Sequence, residues 1–302
     1  MYRDKRSVIL YLLPAVLIVT LFVYVTIAMN FYNSLFRWSS YSPDRIWVAA
    51  GNYLEIFHDG NFWNALKNNC LYAVFSLIFQ IGVSLILAAV LEQKWLRRFG
   101  AVCRTIYFIP SIISLAVVGL LFQTLLSPTM GVVNPLLEMI GLGGLTRDWL
   151  GNASTAIYAI IAVEQWQYIG YTLMLFIIAI QKIPADYYEA AAIDGADSVQ
   201  SFFYVTVPNV REMLLLNMTT TLIGAFKIFD AVYTMTYGGP GRSSEVLGIY
   251  LYRSAFRNDR LGYASAIAAL IFLITFVLSV IQIRMYNVGE SFGKKKKGGV
   301  PA

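Results

Sequence analysis

Three ionisable residues stand in or beside stretches that are otherwise apolar: Glu164, Lys227 and Asp230. A charge in such a setting is paired, or it serves a polar path. Lys227 and Asp230 are three apart, the spacing at which an ion pair closes on one helix face. Glu164 opens the run Glu164-Gln165-Trp166-Gln167. With the rings of Trp166, Tyr171, Phe226, Phe229 and Tyr233, these groups offer hydrogen bonds and stacking faces, the chemistry that lines a path for a hydroxyl-rich solute. A structural reading stays open: Lys227 and Asp230 pair near a surface, Glu164 is interfacial about one and a half turns into its stretch, and the rings pack. Catalytic spacings are missing. Gly289 to Lys294 is one residue short of a phosphate-binding Walker A loop and continues with Lys instead of Ser or Thr. Gly141-Leu142-Gly143-Gly144 lacks the last glycine and the strand of a dinucleotide fingerprint. His58 is the only histidine, so no metal site is expected. No catalytic residue and no cofactor is expected in this chain.

A second group of spaced residues is Glu189-Ala190-Ala191-Ala192-Ile193-Asp194-Gly195, followed by Val205-Thr206-Val207-Pro208. Pro184 suits a helix start. Asp186 and Glu189 suit its first turns, where carboxylates meet the positive end of the dipole. Tyr188, Ala191 and Ala192 share one face, and small alanines permit close approach of a partner. Gly195 breaks the helix as a left-handed C-cap. After Ala196, Asp197 or Ser198 can cap a second helix. Val199, Phe202, Phe203 and Thr206 form its apolar stripe, and Pro208 ends the unit. A helix lying on a membrane usually carries Lys or Arg on its polar face. Here Asp186, Glu189, Asp194 and Asp197 are the only charges between Asp186 and Asn209. Anionic lipid repels that face, so a protein groove is the better partner.

The elements that position these residues are membrane helices. The 302-residue chain is 58% hydrophobic and 13% charged, with a mean hydropathy of +0.62. A soluble protein carries about 25% charged residues. Crossing the bilayer takes about 20 apolar residues, which gives an all-α fold with six transmembrane helices near 8–29, 71–91, 106–126, 156–180, 213–229 and 263–285. The first stretch is too long for a cleaved signal sequence and reads as a signal anchor. The fifth is the shortest. The net charge of +6 follows membrane orientation and not nucleic acid. With both termini in the cytoplasm, fourteen Lys and Arg lie inside and eight outside, as the positive-inside rule asks. Cys70 and Cys103 then fall on opposite sides, so no disulfide is expected. The polar segment 181–212 becomes a cytoplasmic loop between the fourth and fifth spans, and the basic tail 286–302 a solvated anchor.

The E-A-A-x-x-x-G pattern at 189–195 with its following Pro208 resembles the coupling loop of permease subunits of binding-protein-dependent ABC importers. Thr236-Tyr237-Gly238-Gly239-Pro240, Tyr252-x-x-x-Phe256 and Gly262-Tyr263-Ala264-Ser265-Ala266 resemble elements of the carbohydrate-uptake branch. Asn52-Tyr53 and Asn68-Asn69 are weaker matches. The T-x-G-G-P form is similar to the first subunit type of maltose, glycerol-phosphate and multiple-sugar importers, and Val207 departs from that pattern's leucine. The resemblance implies one importer transmembrane domain over 1–302. It implies that Tyr188, Glu189, Ala190, Ala191, Asp194, Gly195, Ala196, Phe202, Phe203 and Pro208 dock an ATPase. The implied partners are a homologous six-span permease in a heterodimer, two ATPase subunits that bind ATP and Mg, an extracytoplasmic solute-binding protein, a sugar and the lipid bilayer of the inner (cytoplasmic) membrane. A phosphorylated polyol, a polyamine or another small solute remains an alternative cargo. A secondary transporter would show paired midspan charges and inverted repeats, and a scaffold or sensor would have no use for an acidic bent loop.

Overall fold

In lipid, an apolar run can satisfy its backbone only as a helix or a closed barrel, and this chain is mostly helical. A computed structural model describes residues 5–42, 44–93 and 96–297, with side chains throughout except at 5–9, 97, 98 and 287–297. Of the charges counted for orientation, Arg3 and Lys94 lie outside the described residues.

Helix α1 begins at Lys5 and continues to Asn33 through a π segment at Thr20–Val25. Then come α2 (Gly51–His58) and α3, which begins at Gly60 and runs to Leu91. Next are α4 (Arg97–Ile112), α5 (Leu115–Leu125) and α6 (Val133–Met139). The fourth expected span is α7 (Ala156–Ile180), followed by α8 (Ala185–Ile193) and α9 (198–209). The last are α10 (Arg211–Lys227), α11 (Asp230–Met235), α12 (Leu247–Tyr252) and α13 (Leu261–Lys297).

Four helices are long and apolar enough to cross a membrane, or up to six if each of two bent pairs is one span. The bent pairs are α4 with α5, at 97°, and α7 with α8, at 76°. The stretch 106–126, expected as one span, is therefore broken: Ile113 and Ser114 leave the helical region at ψ 140° and 133°. The window expected at 71–91 extends back to Gly60, and Asn64, Asn68 and Asn69 in the added turns donate hydrogen bonds to other segments. The tail continues α13 as helix to Lys297, and 298–302 lie outside the described residues. One departure from an all-helical chain is a two-residue antiparallel ladder that pairs Phe36 with Trp47 and Arg37 with Ile46.

The chain divides into two compact units, 1–63 with 250–273 and 64–249 with 274–302. In the first, Asn52 is buried and its amide donates to the carbonyls of Ser34 (2.7 Å) and Phe36 (2.9 Å). The Asn30 amide donates to Ser265 O at 3.1 Å. Gly262 lies so close to Phe36 that a Cβ would meet the Phe36 carbonyl oxygen at 1.9 Å. Asp59 accepts hydrogen bonds from the Tyr250 and Tyr263 hydroxyls, and Arg260 pairs with Glu55 at 2.6 Å.

In the second unit, Leu85, Ala88, Leu91, Phe176, Ile180 and Val210 form a buried cluster that joins α3, α7 and the start of α10. Helices in lipid gain little from the hydrophobic effect, so close packing and hydrogen bonds hold them. A Cβ on Gly170 of α7 would lie 1.8 Å from the Tyr107 carbonyl oxygen of α4. The Gln165 amide donates to Ser76 Oγ at 2.9 Å, and Ser84 Oγ donates to Ile169 O at 2.9 Å. The Gln167 amide donates to Ile113 O at 2.8 Å. That last bond gives a donor to a carbonyl at the α4/α5 break.

Candidate functional site

The segment between α7 and α10 is built by local capping chemistry. Pro184 precedes α8 in an extended conformation, φ −57° and ψ 139°. At the other end Gly195 has φ +81°, a value glycine adopts without the Cβ penalty. Ala196 N donates to Ala191 O (2.9 Å) and Gly195 N to Ala192 O (3.1 Å). This pair of bonds is the Schellman closure of a helix end. Asp197 then opens α9 with a reciprocal capping box: Gln200 N donates to Asp197 Oδ1 at 2.7 Å, and Asp197 N to Gln200 Oε1 at 2.9 Å.

The unit ends within one residue of Pro208. Helical structure runs through it to Asn209, and the turn follows at Val210. Proline has no N–H to give the helix ladder, and the turn before it widens to a π segment at Phe202–Thr206, where Val207 N donates to Phe202 O. The expected apolar stripe of α9 is divided by this widening. Thr206 is 3% exposed and Phe202 is half-buried, whereas Val199 and Phe203 face out. Tyr188 and Thr206 meet at 3.0 Å between their hydroxyl oxygens, so the two short helices are tied together. Glu189, Ala190, Ala192, Asp194 and Pro208 are exposed, and Ala191 and Ala196 are half-buried. Ile193, 86% exposed, and Tyr204, 80% exposed, are further apolar side chains on this segment that the sequence did not single out. Their apolar type beside an acidic run was the available signal. A cavity of about 1310 Å³ lies against this face, bordered by Glu92, Arg104, Gln181, Tyr188, Glu189 and Phe202.

The residues expected to line a path separate into two sets. Glu164 is half-buried on α7 and interacts electrostatically with Asp230. It stands eight residues beyond Ala156, about 12 Å at the helical rise, and so lies deeper than the expected turn and a half. Phe229 stacks on Tyr233 (centroids 5.1 Å, 24°), and Tyr233 meets Tyr237 edge-on at 4.9 Å. Trp166 is exposed and packs edge-on against Phe122 at 5.2 Å, and Tyr171 is exposed. Phe226, by contrast, is only 3% exposed and belongs to the packing. The pairing of Lys227 with Asp230 is corrected as well. The helix stops at Lys227, and Ile228 (ψ 132°) and Phe229 (φ −143°) break it before Asp230. The two are not on one helix face, and no ion pair joins them among the described residues.

The segment just after the Thr236–Pro240 element, 242–247, is held by asparagines on α3. Asn64 donates to Arg242 O (2.7 Å), and Asn68 to Ser243 O (2.9 Å) and Glu245 O (2.8 Å). The Asn69 amide donates to Ala225 O (2.7 Å), and its oxygen accepts from Leu247 N (2.8 Å). Thr236 Oγ1 and Ser244 Oγ are 2.8 Å apart, and Ser244 donates to Gly239 O at 2.6 Å. The Gly239–Pro240 bond is cis. Asn64 had no signal beyond its spacing of four from Asn68. His58 is exposed, with its ring Nδ1 2.8 Å from Leu54 O, and Cys70 and Cys103 are free.

Comparison with known proteins agrees with this architecture. The Bacillus subtilis (strain 168) "Probable ABC transporter permease protein YurN" is 49% identical over 288 residues, covering 95% of this chain and 98% of that one. The "Lactose transport system permease protein LacF" of Rhizobium radiobacter is 33% identical, over 90% of this chain and 91% of its own. A chain of a bacterial ABC transporter involved in import of the acidic polysaccharide alginate has the same fold, with a TM-score of 0.81 at 24% identity over 94% of this chain and 96% of that one. Residues 80–286 match the family described as "Binding-protein-dependent transport system inner membrane component". The chain belongs to that family, the permease subunits of ABC importers.

Proposed function

We propose that this chain forms half of the translocation path of an ATP-driven sugar importer. It crosses the inner membrane six times, each bent pair counting as one crossing, with both termini and the loop 181–212 in the cytoplasm. A second, homologous permease supplies the other half of the path. An extracytoplasmic binding protein delivers the sugar, and two ATPase subunits bind ATP and Mg and do the hydrolysis.

The observation that carries this reading is the bent loop itself. A pair of short helices, closed at Gly195 and tied by Tyr188 and Thr206, exposes Ile193, Phe203 and Tyr204 on a segment whose only charges are acidic. Exposed apolar side chains on an acidic segment suit a protein groove better than anionic lipid. Pulling two such loops together rocks the spans between inward-open and outward-open states. The sugar cargo is supported by the relatives named for lactose, arabinooligosaccharides and multiple sugars and by the Phe229–Tyr233–Tyr237 ring series, since stacked rings bind the apolar faces of sugars. The test is purification from native membranes. An ATPase and a second permease should co-purify in stoichiometric amounts, and the complex should hydrolyse ATP faster when loaded binding protein is added. Isolation of this chain alone, with no ATPase activity, would refute the reading.

A further inference from the structure

Glu92 is an acid at the C-terminal cap of α3. A carboxylate there faces the negative end of the helix dipole, which disfavours it. Two partners offset this. Arg104 of α4 forms an ion pair with Glu92 Oε1. Gln181, the C-cap of α7, donates its amide to Oε1 and Oε2 at 3.2 and 3.3 Å. One carboxylate therefore joins the C-terminal ends of α3 and α7 to the middle of α4. These ends stand directly behind the bent loop, since Ala185 begins α8 four residues after Gln181. The apolar cluster beneath joins α3, α7 and α10, with Phe202, Val207 and Ile183 of the loop packed on it. Among the described residues α4 adds only Cys103 to that cluster; Arg104 is a polar link, one turn before the close approach of Tyr107 to Gly170 of α7. The same three side chains border the cavity against the loop.

Resting on the importer reading above, we propose that Glu92 is a positioning residue for the coupling step. It fixes the ends of α3 and α7 to the middle of α4 as one body, so that a displacement of the docked loop moves all three together. A simple surface ion pair contributes little. The function assigned here is geometric: Glu92 keeps the force applied at α8 from being lost as relative sliding of α3 and α7 along α4.

The test uses the complete importer in proteoliposomes, with Cys70 and Cys103 replaced by serine and spin labels at exposed Val102 on α4 and Ile178 on α7. The nucleotide-free and ATP–vanadate states are compared. In the otherwise native chain the label separation should change by no more than about 2 Å, the scale of helix shifts within a packed unit. With Glu92→Gln it should broaden and shift between the states. The ratio of binding-protein-stimulated to basal ATP hydrolysis should fall about tenfold. The swap Glu92→Arg with Arg104→Glu should restore both readouts, because the Gln181 amide can accept as well as donate. Gln181→Met, which leaves the ion pair in place, should give an intermediate ratio. A native separation that changes between states overturns the proposal, as does a Glu92→Gln protein that matches the native one. So does a loss that the swap and Gln181→Met show to follow ATPase detachment alone. A native complex without any ATPase would instead refute the importer reading.

Discussion

The hydroxyl of Tyr188 lies 3.0 Å from Thr206 Oγ1, a polar tie between two short helices that approach each other across the bend at Gly195. Thr206 is buried, so loss of its partner leaves a hydroxyl short of hydrogen bonding. Tyr188→Phe should destabilise the loop by about 1 kcal/mol. Hydrogen exchange at 185–197 should become faster while the membrane helices keep their protection. Unchanged exchange in the loop would show that the tie holds nothing.

Gly195 has φ +81° and nothing within 4 Å of a built Cβ. A substitution there is strained by the backbone and not by a clash. Gly195→Val should cost about 1–2 kcal/mol and misdirect α9. Gly195→Asn, which tolerates the left-handed region better, should be milder. The measurement is ATPase co-purification together with solute uptake per ATP, and equal behaviour of the two variants would contradict a conformational cause.

Asn69 serves two buried backbone groups at once, Ala225 O and Leu247 N. Asn69→Leu leaves both without partners and should cost about 2–4 kcal/mol. Asn69→Asp should also destabilise, since an ionised carboxylate can accept from Leu247 but has no donor for Ala225. Thermal unfolding in detergent distinguishes these outcomes from a permissive site, at which both variants would melt with the parent.

Burial pushes the Asp59 carboxyl up, but the Tyr250 hydroxyl, the Asn61 backbone N–H, the Tyr263 hydroxyl and the Asn61 amide together hold it below its ordinary 3.8. A depressed carboxylate stabilises the fold above its unfolded pKa, and that stability is lost as pH falls through the folded value. Between neutrality and pH 5 the contribution should be constant, and it should decline below about 4. Comparison of the parent with Asp59→Asn should give a stability difference that shrinks at acidic pH. A difference independent of pH down to 3 would rule out the linkage.

Local chemistry was legible in the sequence and long-range choice of partner was not. Gly195 and Asp197 announce their roles because a cap needs only its neighbours. Long apolar runs announce helices because lipid leaves the backbone no alternative. The break at Ile113–Ser114 is hidden, since apolar residues flank it on both sides and the group that satisfies its carbonyl, Gln167, is 54 residues away. Lys227 and Asp230 looked paired because their spacing assumes an unbroken helix, and Ile228–Phe229 interrupts it. Phe226 and Phe229 are alike in sequence, yet tertiary packing buries the first and leaves the second half-buried in a ring series. Glu92 drew no notice because its partners come from α4 and α7.

The corner between α4 and α5 has a mechanical consequence. A straight helix can change direction only by giving up several ladder bonds, and in lipid those groups would find no water. At Ile113–Ser114 the ladder is already open, and the Gln167 amide supplies a donor to the Ile113 carbonyl at 2.8 Å. The corner is therefore the point of this bent pair where the backbone has the fewest ladder bonds to lose, and its carbonyl is held by another helix.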